Sequence, residues 1–293
     1  MAISTVRVQM NGTWYSLTKQ SDGSWQATLT APNTTSFNLD GGYYPLTVEA
    51  VNDAGTKTTG SIQLTVKERV APVITIVSPG SGAYVTNNKQ PVVFTVTDES
   101  GGSGVDLDSL VVTLDGTAVA ASTLSRTAIT NGCSFTYTPA AAMGDGSHTV
   151  EVNCSDNDGN AAVAKSTSFT VDTVPPTLVV NSPTDGAIVA TQTLAVSGKT
   201  NDATSSPVTV QIVLNGTDQG TVSVGSDGSF SKTVTLAEGD NTIVITVTDA
   251  AGKTTSITKT VQLDTTVPKI KSAVANPNPV DAGATMIITV VVE

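Results

Sequence analysis

Residues His148–Val189 read HTVEVNCSDNDGNAAVAKSTSFTVDTVPPTLVVNSPTDGAIV. Val150, Val152 and Cys154 alternate as the inward face of a strand does. An Asp156-Asn157-Asp158-Gly159 turn breaks that strand, and a second alternating run ends at Val171. Pro175-Pro176 then stops the sheet, because proline donates no ladder hydrogen bond, and a new strand begins at Leu178. The passage stands earlier as Tyr44–Val85 (YPLTVEAVNDAGTKTTGSIQLTVKERVAPVITIVSPGSGAYV) and later as Asn241–Gly283 (NTIVITVTDAAGKTTSITKTVQLDTTVPKIKSAVANPNPVDAG). Three copies of hairpin, proline link and fresh strand predict tandem modules of one kind.

The rest of the composition agrees. Hydrophobic residues make up 39% of the 293 positions and charged residues only 13%. Thr, Val, Ser and Gly dominate, which suits strands and turns. The longest helix-tolerant run, Pro139–Met143, predicts about one turn. The expected fold class is all-β. The 14 basic against 25 acidic residues leave a net charge of −11, so the basic stripe that nucleic-acid binding needs is missing. No apolar run approaches a membrane span. The opening MAISTVRVQMNGTW lacks a basic start and an apolar core, which predicts cytoplasmic synthesis without a secretory signal and a final place in a virion or outside the cell after lysis.

In order, strands are expected near 3–10, 13–18, 24–30, 43–51 and 58–66. The second set falls near 73–77, 90–97, 109–114, 132–138, 148–154 and 162–171. The hairpin Met10-Asn11-Gly12-Thr13 recurs as Leu114-Asp115-Gly116-Thr117 and as Leu214-Asn215-Gly216-Thr217. Ser21-Asp22-Gly23-Ser24-Trp25 recurs as Ser226-Asp227-Gly228-Ser229-Phe230. About seven short strands per hundred residues predict immunoglobulin-like (Ig-like) sandwiches, all antiparallel, without the Cys-Trp-Cys pattern of antibody domains. With VAPVITIVSPGSGAYV, TNDATSSPVTV, LAEGDNTIVITVTDAAGK and NPNPVDAG, the chain resembles tandem bacterial Ig-like proteins encoded in phages and prophages of Gram-positive bacteria. That resemblance implies a non-enzymatic, tail-associated structural component of a virion, touching other virion proteins. Surface adhesins carry related modules, so a cell-surface filament binding glycans or host proteins is the rival expectation.

The repeat carries a further expectation. Asn11 to Asp115 and Asn52 to Asp156 share an offset of 104. In that register Met1 matches Val105, so the first copy has no counterpart of the strands at 73–77 and 90–97. Pro268 matches Pro72, and Lys269–Glu293 matches those two strands. The modules are therefore expected at 1–71 (incomplete), 72–174 and 175–267, with 268–293 a two-strand donor segment. Met286, Ile288, Val290 and Val292 alternate onto one face, and Val6, Val8 and Met10 face the gap they would fill. Burying four such side chains is worth roughly 6–12 kcal/mol before the cost of association. Short proline links resist a sharp fold-back, so the next copy is the expected partner, in a filament or ring, with Glu293 near Met1 of the neighbour and the joint at the counterpart of Asp98–Gly104. Docking of the tail on another protein, or its disorder, stays open.

Little else carries chemistry. His148 is the only histidine and has no nucleophile motif around it, so no catalytic residue is expected. Calcium is the one cofactor the residues suggest, at Asp156-Asn157-Asp158-Gly159-Asn160 and at Asp98-Glu99 with Asp106 and Asp108. The EF-hand pattern fails there, since Thr167 stands where its glutamate belongs, and Asx turns account for the same residues. Trp14, Tyr15, Trp25, Tyr43 and Tyr44 could stack a sugar or simply pack. Cys133 and Cys154 read as buried core residues, with a disulfide left open.

Overall fold

The computed structural model describes residues 2–293. Two compact units divide it, one ending at Thr173 and one running Val174–Glu293. Among the described residues the only helical turns are short 3₁₀ segments, Asp40–Gly42 and Ala121–Thr123. Pro139–Met143 forms no turn of helix. The Met143 N–H instead reaches the Asn88 carbonyl at 2.8 Å.

The N-terminal region holds β1 (Ile3–Met10), β2 (Thr13–Ser16), β3 (Thr18–Lys19), β4 (Trp25–Gln26), β5 (Tyr44–Asn52) and β6 (Lys57–Leu64). They form one four-stranded sheet, β2-β1-β5-β6, and the small β3-β4 pair. Residues directly opposite in an antiparallel pair share a face. Val8 pairs with both Tyr15 and Val48, Val6 with Ala50, Leu46 with Ile62 and Tyr44 with Leu64. One face of the sheet is therefore apolar. The other carries Arg7, Glu49 and Lys57, with Arg7 Nη2 2.7 Å from Glu49 Oε1.

The second module comprises β7 (Val73–Ser78), β8 (Ala83–Val85), β9 (Val92–Thr97), β10 (Val105–Leu114), β11 (Thr117–Ala118), β12 (Leu124–Ile129), β13 (Gly132–Tyr137), β14 (Gly146–Asp156) and β15 (Lys165–Val171). Sheet β11-β10-β14-β15-β8 and sheet β12-β13-β9-β7 enclose a core of Ile74, Val92, Phe94, Val96, Val112, Phe135, Val150, Val152 and Phe169. Phe94 stacks on Phe135 with ring centroids 5.1 Å apart.

The third module repeats the plan with β16 (Thr177–Ser182), β17 (Ala187–Val189), β18 (Thr193–Asn201), β19 (Thr209–Leu214), β20 (Thr217–Asp218), β21 (Ser229–Thr235), β22 (Gly239–Thr248) and β23 (Thr254–Leu263). Its sheets are β17-β23-β22-β19-β20 and β16-β18-β21, closed over Val196, Ile212, Phe230, Ile243, Ile245 and Leu263. The shared hairpin has one geometry throughout. Asn11, Asp115 and Asn215 lie at φ 47, 52 and 49°, and the glycine after each is also positive, the type I′ turn that the twist of a two-residue hairpin favours. The chain closes with β24 (Ile270–Asn276) and β25 (Ile287–Val292), paired with each other.

Two expectations are corrected. The sandwiches are not wholly antiparallel, because β8 runs parallel to β15 and β17 parallel to β23. Pro79 and Pro183 end β7 and β16, and the chain then crosses to the opposite sheet without reversing direction. The Gly82 N–H bonds the Ser168 carbonyl and the Gly186 N–H the Thr260 carbonyl at that crossing. The strand expected at 24–30 is only Trp25–Gln26. Its counterpart by the Ser-Asp-Gly-Ser repeat, β21, runs seven residues because β18 lies beside it. Among the described residues of the N-terminal region, no strand occupies that flank. Cys154 is buried and Cys133 half-buried, and both are free thiols. Burial, with Asp106 and Asp156 nearby, pushes the Cys154 thiol up to about 11.

Candidate self-assembly site

The β24-β25 hairpin is built like the first and third strands of a sandwich. Val73 pairs with Thr97 and Ile74 with Val96. Shifted by 196, these become Lys269 with Glu293 and Ile270 with Val292. Lys269 and Glu293 exchange backbone hydrogen bonds of 2.9 and 2.8 Å, and Ile270 is the partner of Val292. Both ends of the hairpin thus obey one shift, with a bulge displaced toward β24's start. The tail is therefore ordered as a hairpin, and the expectation of disorder is set aside.

Burial separates the two copies. Val92, Phe94 and Val96 are 0% exposed, whereas their counterparts Ile288, Val290 and Val292 are 63, 49 and 63% exposed. Met286 continues that alternation and is half-exposed. A two-stranded hairpin has no second layer against which to bury such a face.

The N-terminal sheet shows the opposite deficit. Val8 and Met10 are buried and Val6 half-buried. The open part of the apolar face lies further along, on β5 and β6. At the offset of 104, Leu46 and Val48 stand for Val150 and Val152, which are fully buried, yet Leu46 and Val48 are half-buried. Ile62, opposite Leu46, is 51% exposed. β6 is the outer strand of its sheet, whereas its counterparts β15 and β23 carry β8 and β17 alongside. An uncovered edge with an uncovered face invites strand addition. Leu29, the counterpart of the buried Val234, is exposed as well. Leu29, Leu46, Val48, Ile62 and Leu64 were not singled out from sequence. The 104 and Ser-Asp-Gly-Ser registers align the first three with core positions, whereas Ile62 and Leu64 meet Thr167 and Phe169 only after a slip of one residue that the pairing reveals.

The remaining candidates resolve differently. Trp14 and Tyr15 point to opposite faces of β2, and the Arg7 guanidinium sits 4.3 Å above the Trp14 ring. The Tyr44 hydroxyl bonds Thr34. Among the described residues no ring contact joins Trp14, Tyr15, Trp25, Tyr43 and Tyr44 to one another. His148 Nδ1 lies 2.7 Å from Asp115 Oδ2 and Nε2 2.8 Å from the Gly144 carbonyl. Burial opposes the imidazolium, but Asp115 and Gly144 outweigh it and hold the His148 pKa above its ordinary value. The pair fixes the start of β14 and has no nucleophile beside it. Asp106 Oδ1 accepts the Asp108 N–H at 3.0 Å, an Asx turn. Asp98 and Asp156 instead converge with Glu68, a link residue absent from the sequence reading.

Comparison with known proteins places the modules. Residues 80–173 match the model of a bacterial Ig-like domain and residues 176–265 that of glucodextranase, domain B. No curated protein sequence matches the chain. Fibronectin(III)-like modules of Clostridium thermocellum CbhA share 17% identity over 66% of this chain and 94% of theirs, with a TM-score of 0.42. Immunoglobulin domains 1–5 of Sidekick-1 share 14% over 93% of this chain and 56% of theirs, at 0.41. A tetra-tandem repeat from the extending region of a large adhesion protein shares 20% over 98% and 79%, at 0.35. Ig-like and fibronectin-like domains are typically non-catalytic. The chain is a tandem of Ig-like sandwiches, an architecture consistent with a structural or adhesin module.

Proposed function

We propose that this protein is a non-enzymatic structural component of a phage or phage-like particle that assembles head-to-tail by strand complementation. The observation that carries assembly is the single shift of 196, which sets a half-exposed hairpin on the strands that close the second sandwich. In the acceptor copy, β25 would lie where β9 and β18 lie in the complete modules. Through the β18-β21 register, Val290 would stand opposite Trp25, Ile288 opposite Ala27 and Met286 opposite Leu29. Segment 27–31 would then complete the strand that stops at Gln26. β24 would cross β6, as β7 crosses β15 and β16 crosses β23. Such a contact is heterologous, so it propagates as a filament or closes as a ring.

The particle setting rests on the resemblance to phage-encoded Ig-like proteins. Detection in purified particles supports it, and finding the protein only on the cell surface favours the filament or adhesin reading. Sedimentation velocity tests the assembly step. The whole chain should shift to larger species with concentration, and Ile288→Asp with Val290→Asp should sediment as a monomer with the second and third modules intact. Unchanged assembly by that variant overturns the proposal.

A further inference from the structure

Where the N-terminal sheet meets the second module, carboxylates gather from three segments. Glu68 comes from the link between β6 and β7, Asp98 and Glu99 follow β9, and Asp156 ends β14. One oxygen each of Glu68, Asp98 and Asp156 lies within 4.8 Å of the other two. Asp98 is 7% exposed and Asp156 1%. A methyl group on Gly102 would sit 2.6 Å from Asp98 Oδ2, 2.8 Å from Glu68 Oε2 and 2.9 Å from the Glu99 carboxyl carbon, so Glu99 joins the same cluster.

The carboxylates are held but not satisfied. The Gly104 N–H donates to Asp98 Oδ2 at 2.7 Å, and the Ser103 N–H donates to Glu68 Oε1. Asp156 accepts from the Asn160 N–H and side-chain amide at 2.8 and 2.7 Å. Asp98 Oδ1, Glu68 Oε2 and Glu99 Oε2 are buried without any partner. Among the described residues, no basic side chain forms an ion pair with any of the four. The nearby Lys67 spends its ammonium on the Asp158 carbonyl at 3.0 Å. Burial first, then the charges of Glu68, Asp156 and Asp158, raise the Asp98 pKa above its ordinary value, despite the Gly104 N–H. Buried, unpaired like charges are strongly unfavourable unless a counter-charge sits among them.

We propose that Glu68, Asp98, Glu99 and Asp156 bind a calcium ion that locks the N-terminal sheet to the second module. The donors are all hard oxygens, and Ca²⁺ takes 6–8 of these at about 2.4 Å. Opposed ligands of such an ion stand about 4.8 Å apart, and the oxygens of Glu68, Asp98 and Asp156 lie close enough together to share one. Asp98 and Glu99 also line a 240 Å³ cavity with Gly102 and Asn131, which has room for water ligands. The two elements already meet through Thr35 Oγ1 to Asp158 Oδ2 (2.5 Å), Asn38 Nδ2 to the Gly102 carbonyl (2.6 Å) and Asn160 Nδ2 to the Glu68 carbonyl (3.3 Å). In the third module Asp202 and Asp249 hold the places of Asp98 and Asp156, both buried, and Asp249 Oδ2 again lacks a partner.

The test is thermal melting and calorimetric titration of the whole, metal-stripped chain. About 10 mM CaCl₂ should raise the melting temperature of the unit ending at Thr173 by ~5 °C or more. Asp98→Asn with Glu68→Gln should melt no earlier than wild type in chelator, yet lose this response and its share of the binding heat. Asp106→Asn with Asp108→Asn should keep both. Should the double variant lose its cooperative melt, Glu68→Gln alone must move the Ca²⁺ midpoint about tenfold, and an unchanged midpoint overturns the proposal. Absence of any calcium response in wild type, an undiminished response in the double variant, or an equal response to Mg²⁺ also overturns it.

Discussion

The β24-β25 hairpin and the first and third strands of the second module are the same object in two surroundings. Their pairing agrees at both ends, and their inward positions carry Ile288, Val290 and Val292 in one case and Val92, Phe94 and Val96 in the other. In the second module those side chains are sealed; in the tail they stand about half in water. The hairpin is thus specified by its own alternation and pairing, whereas its burial depends on a second layer. The N-terminal sheet teaches the converse. It keeps strands, register and the type I′ turn with no β7–β9 counterparts among its described residues, yet its β5-β6 face stays uncovered and its 24–30 strand shrinks to two residues.

The strongest way to break that comparison is to truncate the same position in both places. Phe94→Ala removes a ring from a sealed core and should cost about 3–5 kcal/mol in urea unfolding. Val290→Ala should leave the dilute chain within about 0.5 kcal/mol of wild type while weakening association at high concentration. If the two substitutions destabilised the dilute chain equally, the tail would already be buried in solution.

A turn that sits in both an open sheet and a closed sandwich sharpens the comparison. Gly12 and Gly216 lie at φ +78 and +81° with nothing within 4 Å of an added methyl group. Alanine at either should therefore cost only the left-handed penalty, about 1–2 kcal/mol in thermal melts. A smaller loss at Gly12 would mean that the open sheet frays at its hairpin.

The smallest effect belongs to the His148–Asp115 pair, which neither the tail nor the N-terminal sheet contains. The raised His148 pKa gives a contribution fully present below about pH 6.5 that fades as pH climbs through the folded-state value. The depressed Asp115 pKa, which its hydrogen bond from His148 maintains against burial, gives one that fades as pH falls through its folded-state value, below 3.8. Asp115 is half-exposed, so the pair is worth about 1 kcal/mol or less. His148→Gln should flatten the loss of stability of the second module between about pH 6 and 8. A variant whose melting temperature keeps the wild-type slope would contradict the assignment.

Much of this was legible in residues alone. Alternation, Asx-Gly turns and proline links are local, and they marked most strands, the repeat and the hairpin's inward face. The parallel β8 and β17 were not legible, since three-residue strands carry too little alternation to separate them from a loop. The length of strand 24–30 depends on a neighbour that is not found among the described residues of the N-terminal region. Glu68 escaped for a related reason. It stands thirty positions from Asp98 and reads as one charge in a linker until the fold sets its carboxylate against Asp98 and Asp156.

The central claim is that one copy's hairpin completes the N-terminal module of the next in the β18-β21 register. That register places Met286 of the donor opposite Leu29 of the acceptor. Leu29→Cys with Met286→Cys, oxidised mildly at high protein concentration, should give a ladder of covalent multimers on a non-reducing gel. With both made in a Cys133→Ser background, each single variant should give no ladder, because Cys154 is buried and protonated. A doubly substituted chain that assembles in solution yet stays monomeric on the gel would contradict the register, and one that neither assembles nor cross-links would contradict strand complementation itself.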